Sequence, residues 1–260
     1  MPVDSLALVS PVTAPCRVVA QMTNYVSHVK GAGMDPKTIP LTFFRKASGS
    51  ISGPFDEIIK PPHVKLLDYE VEIGLVIARV IPVGTELTES NLADFIASLV
   101  VTNDVSARDV QLTKTQFYEA KSYPTFSPVG PALVLLDADE LKRFGDLRLR
   151  LRVSGEMRQN MLVDGDMIYK PLQALQALAR FQRLGAGDLV MTGTPVGTAL
   201  GAPPKPVASL LRAAVNWKAF FKRQANNPKY LQHGDIVELS VATDDGAIDL
   251  GTQRTAVRYA

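Results

Sequence analysis

The sequence predicts a mixed, strand-rich α+β fold. Three observations carry that expectation. Runs with the two-residue period of a β-strand recur along the chain, above all at 67–77 and 147–153. Amphipathic runs with helical spacing are few, and no regular alternation of strand and helix argues for a parallel α/β sheet. The composition is that of an ordinary globular chain: 260 residues, 46% hydrophobic, 21% charged, net charge +2. That balance offers no basic surface for nucleic acid. The single Cys16 excludes an internal disulfide and a Cys-rich zinc cluster. No apolar run reaches the length of a membrane span, and the first 15 residues lack the basic start of a secretory signal. The expectation is a soluble cytoplasmic protein with one domain over 1–260.

The elements follow in order. Cys16 to Met22 reads as a strand. Residues 24–64 are rich in Gly, Pro and Ser, hold little periodicity, and read as a lid or binding loop. In 67–77, Glu70 and Glu72 share one strand face while Val71, Ile73, Leu75 and Ile77 fill the other. Gly74 follows on the glutamate face and leaves room there. Thr88 is placed to cap a helix running to about Ser98, Leu99 to Asn103 reads as a buried strand, and 109–118 as a short helix. Leu147, Leu149, Leu151 and Val153 alternate with Arg148, Arg150 and Arg152, a half-buried strand with a solvated basic ridge, and Ser154-Gly155 turns it into a hairpin. Pro171 to Leu184 has helical amphipathicity. Val190-Met191 ends a strand at Thr192-Gly193-Thr194-Pro195. The 198–233 segment reads as a helical insertion. Within it, 207–230 carries Trp217 at helical spacing, either packed on its own subunit or forming a cap or subunit contact. Ile236–Val241 and Thr255–Tyr259 close the chain as strands.

Two carboxylates on one strand face repel each other unless a proton or cation lies between them. Asp104, where the 99–103 strand ends, is well placed as a third. Hard oxygens without cysteine or clustered histidine favour Mg²⁺ or Mn²⁺, with Ca²⁺ as a further candidate, over Zn²⁺. Arg108 and Lys121 are the basic groups that compensate, and Asp109 is expected to pair with a basic group as an anchor. His63 and His233 read as structural.

These pieces together resemble the fumarylacetoacetate hydrolase family. The matching segments are Asp68-Tyr69-Glu70-Val71-Glu72, Asn103 through Gln111, Ala120-Lys121-Ser122 with Pro128-Val129-Gly130-Pro131, Gly187-Asp188 before Thr192 through Gly197, and Gly234-Asp235. Asn24-Tyr25-Val26-Ser27-His28 and Lys46 resemble that family's N-terminal active-site loop. The resemblance implies a mixed β-roll with a few peripheral helices and a homodimer. It implies Glu70, Glu72 and Asp104 as metal ligands, and Lys121 and His28 as catalytic groups. Tyr25, Arg108, Gln111, Thr194 and the Gly193 backbone are implied to hold a 2-oxo or 2,4-dioxo acid. One departure stands out. Some family hydrolases carry a glutamate three residues after the histidine, and here that position is Gly31. Asp35, Asp56 and Glu57 are the nearby substitutes. The leading expectation is hydrolysis of a C–C bond in an acylpyruvate-type acid. Decarboxylation, isomerisation or hydration on the same ligands is the alternative, and a non-catalytic binding protein the minor one.

Overall fold

Alternating apolar residues close into two five-stranded sheets in this computed structural model, which describes residues 6–114, 116–200 and 217–260. The strands in chain order are β1 (Val18–Met22), β2 (Thr42–Lys46), β3 (Ile51–Ser52), β4 (Ile58–Lys60), β5 (Leu67–Asp68), β6 (Val71–Ile77), β7 (Ile96–Asn103), β8 (Ser106–Ala107), β9 (Ser127–Pro128), β10 (Leu147–Val153), β11 (Glu156–Leu162), β12 (Leu189–Met191), β13 (Ile236–Thr243) and β14 (Asp249–Tyr259). The first sheet has the order β2-β1-β12-β6-β7 and the second β11-β10-β13-β14-β4. Within the first, only β1 and β12 run parallel. The helices are short: α1 (Val26–Gly31), α2 (Arg108–Gln111), α3 (Ala138–Lys142), α4 (Pro171–Ala179) and α5 (Trp217–Gln224). The fold is a strand-rich α+β fold, as the sequence predicts.

Two-residue periodicity assigns the faces. Val71, Ile73, Leu75 and Ile77 of β6 meet Leu147, Leu149 and Leu151 of β10 and Val237, Leu239 and Val241 of β13 in the core between the sheets. The opposite face of the first sheet buries Val18, Ala20, Val76, Val100, Leu189 and Met191. Laid flat, four inter-strand steps would hold β2 and β7 about 19 Å apart. Yet Lys46, ending β2, donates to Asp104 just beyond β7 at 2.5 Å. The sheet is therefore curled, and both edges converge on one polar centre.

Several expectations change. Residues 88–98 do not form a helix. The Thr88 N–H is taken by the Asn91 side chain, a single 3-10 turn spans Leu92–Asp94, and β7 already begins at Ile96. Pairing with β6 claims the Ile96–Asn103 run, so tertiary contact overrides the local helical pattern. The 109–118 helix is one turn, Arg108–Gln111, because Arg108 and Gln111 are drawn into a buried network. The strand expected over 67–77 breaks at Tyr69–Glu70 into β5 and β6. Segment 24–64 is not irregular: it contributes α1 and strands to both sheets, in pieces of two to six residues too short to show a period. Residues 207–216 of the expected helix lie outside the described residues, and Trp217–Gln224 is helical with Trp217 stacked on Phe221.

Candidate active site

The break before β6 turns the Glu70 carboxylate into the same centre as Glu72, and the end of β7 delivers Asp104. Oxygens of the three lie within 4.8 Å of one another, and all three residues are buried. Among the described residues no other three His, Cys, Asp or Glu side chains meet in this way. Gly74 does not leave open room beside them. A Cβ there would stand 2.8 Å from Leu189 Cδ1 and Val100 Cγ1, so this glycine lets neighbouring strands close over the cluster.

Three cations face four carboxylates here. Lys121 Nζ bridges Glu70 Oε2 at 2.7 Å and Asp104 Oδ2 at 2.6 Å. Lys46 donates to Asp104 Oδ1 and to the Phe126 carbonyl. Arg108 donates to Asp68 Oδ2 at 2.7 Å, to Gln111 Oε1 at 2.8 Å, and to Glu70. Burial alone would raise the Glu70 pKa, but Arg108 and Lys121 outweigh it and hold it at about 2. Glu72 has no such partner. Burial first, then the charges of Asp104 and Glu70, push its pKa well above the usual carboxylate value. Its described partner is the Gly193 N–H at 2.8 Å. Lys121 is held protonated: burial works against its charge, and Asp104 and Glu70 more than compensate. Lys46 shifts down, because full burial exceeds the pull of Asp104.

The donor set fits a hard divalent cation. It consists of oxygens only, and one of the three carboxylates lacks a cationic partner. Glu70, Glu72 and Asp104 are the residues that would hold it.

His28 sits on α1, half-buried. Burial lowers its pKa, and Arg108 and Lys121 lower it further against the pull of Glu70 and Asp68. The helix is pinned at its start. Asp166 accepts from the Ser27 N–H at 2.7 Å and from its hydroxyl at 2.5 Å, and the Val196 N–H donates to that same hydroxyl. Among the described residues no side chain hydrogen-bonds the imidazole. The nominated substitutes are engaged elsewhere: Asp35 caps a 3-10 turn, Asp56 accepts from the Gly53 N–H, and Glu57 pairs with Arg258. Gly31 packs against the loop after β12, where an added Cβ would stand 3.1 Å from Val196 Cγ2. Tyr25 is fully buried, and its hydroxyl is pushed to higher pKa by burial and by Glu72.

Gly193 must be glycine. Its φ is +85°, and a Cβ would strike Asn24 at 2.9 Å. The close approach lets the Asn24 amide hold the Thr192 and Tyr169 carbonyls, tying β1 to the Thr192–Pro195 turn. The Thr194 hydroxyl donates to the Val71 carbonyl, and Gln111 is taken up by Arg108. Asp109 is an anchor of a different kind from the one expected. It accepts from the Lys65 and Leu66 backbone amides, not from a basic side chain. Three contributors escape the sequence reading. Asp68 holds Arg108 and the Ala199 and Leu200 amides, and its i, i+2 relation to Glu70 was the available signal. Asp166 and Gln159 come from distant strands and turns with no signal at all.

Comparison with known proteins agrees with this geometry. The family model described as fumarylacetoacetate (FAA) hydrolase C-terminal matches residues 17–258. The oxaloacetate tautomerase Fahd2a, mitochondrial, of Rattus norvegicus is 33% identical over 205 residues, covering 78% of this chain and 63% of that protein. The Homo sapiens oxaloacetate tautomerase FAHD2A, mitochondrial, is 33% identical over 206 residues with the same coverages. The chain thus spans 63% of the length of these relatives. Among solved structures, a probable 2-hydroxyhepta-2,4-diene-1,7-dioate isomerase from Mycobacterium abscessus matches with TM-score 0.74 and 30% identity, over 100% of this chain and 82% of that one. A fumarylacetoacetate hydrolase from Exiguobacterium antarcticum matches with TM-score 0.75 and 30% identity, over 100% of this chain and 80% of that one.

Proposed function

The chain belongs to the fumarylacetoacetate hydrolase family, and from that premise we propose that it is a divalent-metal enzyme interconverting the keto and enol forms of an oxaloacetate-like 2-oxo acid. The carrying observation is the state of His28: within reach of the charges of Glu70 and Asp68, shifted toward the neutral form, and without a hydrogen-bonded carboxylate among the described residues, the position three residues on being Gly31. A base that activates water for C–C hydrolysis gains from an orienting carboxylate. A proton shift within the substrate asks less of it. Relatives named as oxaloacetate tautomerases, and a neighbour named as an isomerase, support the same choice.

The chemistry supplied by Mg²⁺ or Mn²⁺ at Glu70, Glu72 and Asp104 is Lewis-acid stabilisation of negative charge on the oxo oxygen. A neutral His28 imidazole takes a proton from the carbon next to the oxo group, the imidazolium so formed returns a proton to the oxo oxygen to give the enol, and the reverse direction carries the O–H proton back through His28 to the carbon. Lys121, kept as an ammonium, offers a donor where negative charge develops. Arg108, fully engaged with Asp68, Glu70 and Gln111, acts by holding Glu70 ionised and oriented. Tyr25, which feels the Glu72 charge, and Gly193, whose N–H donates to Glu72, are the further groups proposed to meet the substrate. One catalytic domain over 1–260, a homodimer and a cytoplasmic location complete the proposal. No helix among the described residues is long and apolar enough to cross a membrane.

The test is enol oxaloacetate presented to the purified protein with and without Mg²⁺ or Mn²⁺, followed by ultraviolet absorbance, with products identified by NMR. Metal-dependent ketonisation above the buffer rate, with acylpyruvates left intact, supports the proposal. Pyruvate and a free acid released from an acylpyruvate would move the assignment to hydrolysis, the reading favoured by the structural match to a fumarylacetoacetate hydrolase. Carbon dioxide released from oxaloacetate at the rate of its consumption would move it to decarboxylation.

A further inference from the structure

Gln159 lies within β11, on the far sheet from the carboxylates, yet it is 1% exposed and its amide is spent wholly on the site. The Val71 N–H donates to its Oε1 at 3.0 Å. Its Nε2 donates to Thr194 Oγ1 at 2.9 Å and to the Pro195 carbonyl at 2.8 Å. The single Thr194 hydroxyl proton goes to the Val71 carbonyl at 2.9 Å. Val71, Gln159 and Thr194 thereby close a ring of donors and acceptors around the residue that separates Glu70 from Glu72. Only one amide orientation satisfies it. The flipped amide would set its NH₂ against the Val71 N–H and its carbonyl against the Pro195 carbonyl.

The ring decides what Thr194 can offer a ligand. A hydroxyl has one proton and two lone pairs. The proton is committed to Val71 and one lone pair to Gln159. What remains is one lone pair, an acceptor. We propose that Gln159 is a positioning residue that locks the Thr194 hydroxyl as an acceptor toward the substrate space, so that the site selects a ligand carrying an O–H at that point, the enol hydroxyl, over one presenting a bare oxygen. This rests on the metal-dependent 2-oxo acid reading. It also narrows how Thr194 can hold the acid, since its hydroxyl has no proton left for a bare oxygen. Gln159 further clips the Thr194–Pro195 turn to the metal strand, with the second sheet as its rigid support.

The experiment compares glycolate with oxalate, which differ in having a hydroxyl or an oxygen acceptor beside the common carboxylate. Binding is measured by calorimetry in the presence of Mg²⁺ for the wild type, Gln159→Met and Thr194→Val, with thermal midpoints as folding controls. Without Gln159 the Thr194–Pro195 turn is no longer clipped to Val71, so the Thr194 proton can leave the Val71 carbonyl for the ligand, and Gln159→Met is expected to shift the glycolate-to-oxalate affinity ratio toward oxalate by about 5–10-fold, the worth of one hydrogen bond. Thr194→Val should weaken glycolate by a similar factor and leave oxalate within about twofold. A folded Gln159→Met with an unchanged ratio, both acids weakened alike, overturns the proposal and leaves a merely structural tie. Should Gln159→Met not fold, an unchanged ratio in Thr194→Val overturns it equally. A wild type that binds neither acid with Mg²⁺ overturns the 2-oxo acid reading itself, and the inference with it.

Discussion

Two strands of this protein carry like charges at the same two-residue spacing and meet opposite fates. Glu70 and Glu72 flank Val71 at the start of β6, while Arg148, Arg150 and Arg152 alternate along β10. The arginines stand on a wet sheet face. Arg148 and Arg150 share Asp244 at 2.7–2.8 Å, and Arg152 reaches the Gly155 carbonyl. The glutamates are closed in by the curl of their sheet and face buried Lys46, Arg108 and Lys121. Spacing sets which side chains share a face. Burial then decides whether shared charge is merely solvated or becomes a chemical device, because the same pair interaction grows severalfold when water is excluded.

The largest expected effect is at the buried end of this comparison. Glu72→Ala should remove Mn²⁺ binding seen by calorimetry and lower metal-dependent turnover on the order of 10³-fold. Near-normal Mn²⁺ affinity in that variant would break the comparison outright. Lys121→Met should destabilise the metal-free protein by about 3–5 kcal/mol in urea unfolding, since Glu70 and Asp104 lose their shared cation. A loss below about 1 kcal/mol would mean that water reaches the cluster.

The pH dependence sharpens the contrast. The folded metal-free protein keeps a proton on Glu72 at pH values where the unfolded chain has released it. That contribution to stability is complete below the ordinary glutamate value and is lost as pH rises through the higher folded one. Metal binding must displace the proton, so the rise in thermal midpoint produced by Mn²⁺ should grow from pH 5 to pH 8. A rise independent of pH would show that Glu72 is already ionised. Gly31→Glu forces a side chain against Val196 and should cost about 1–3 kcal/mol, relieved in part by adding Val196→Ala. The double variant also asks whether a carboxylate beside His28 brings acylpyruvate cleavage. At the exposed end, Arg148→Ala should move the thermal midpoint by less than about 2 °C, a difference that high salt erases.

Periodicity made the strand-rich class, the alternation of β10 and the shared face of Glu72 and Gly74 legible, because the period of a strand is a local property of the chain. The i, i+2 pair and the strand-end Asp104 pointed to a cluster of hard oxygens for the same reason. Residues 88–98 show the limit: a helical pattern yielded to pairing with β6, a contact that no local window contains. Asp166 under α1 and Gln159 behind Val71 were equally hidden, since their partners lie 139 and 88 residues away.

By itself, then, the sequence determined which side chains share a face, the oxygen-only donor set and the glycine at position 31. Tertiary structure alone decided that four carboxylates and three cations are sealed together, that Arg108 and Gln111 are spent on each other, and that the Thr194 proton is already committed. The reason is physical: facing is set by a repeat of two residues, whereas burial and hydrogen-bond commitment are set by chain segments that meet only when the sheet curls.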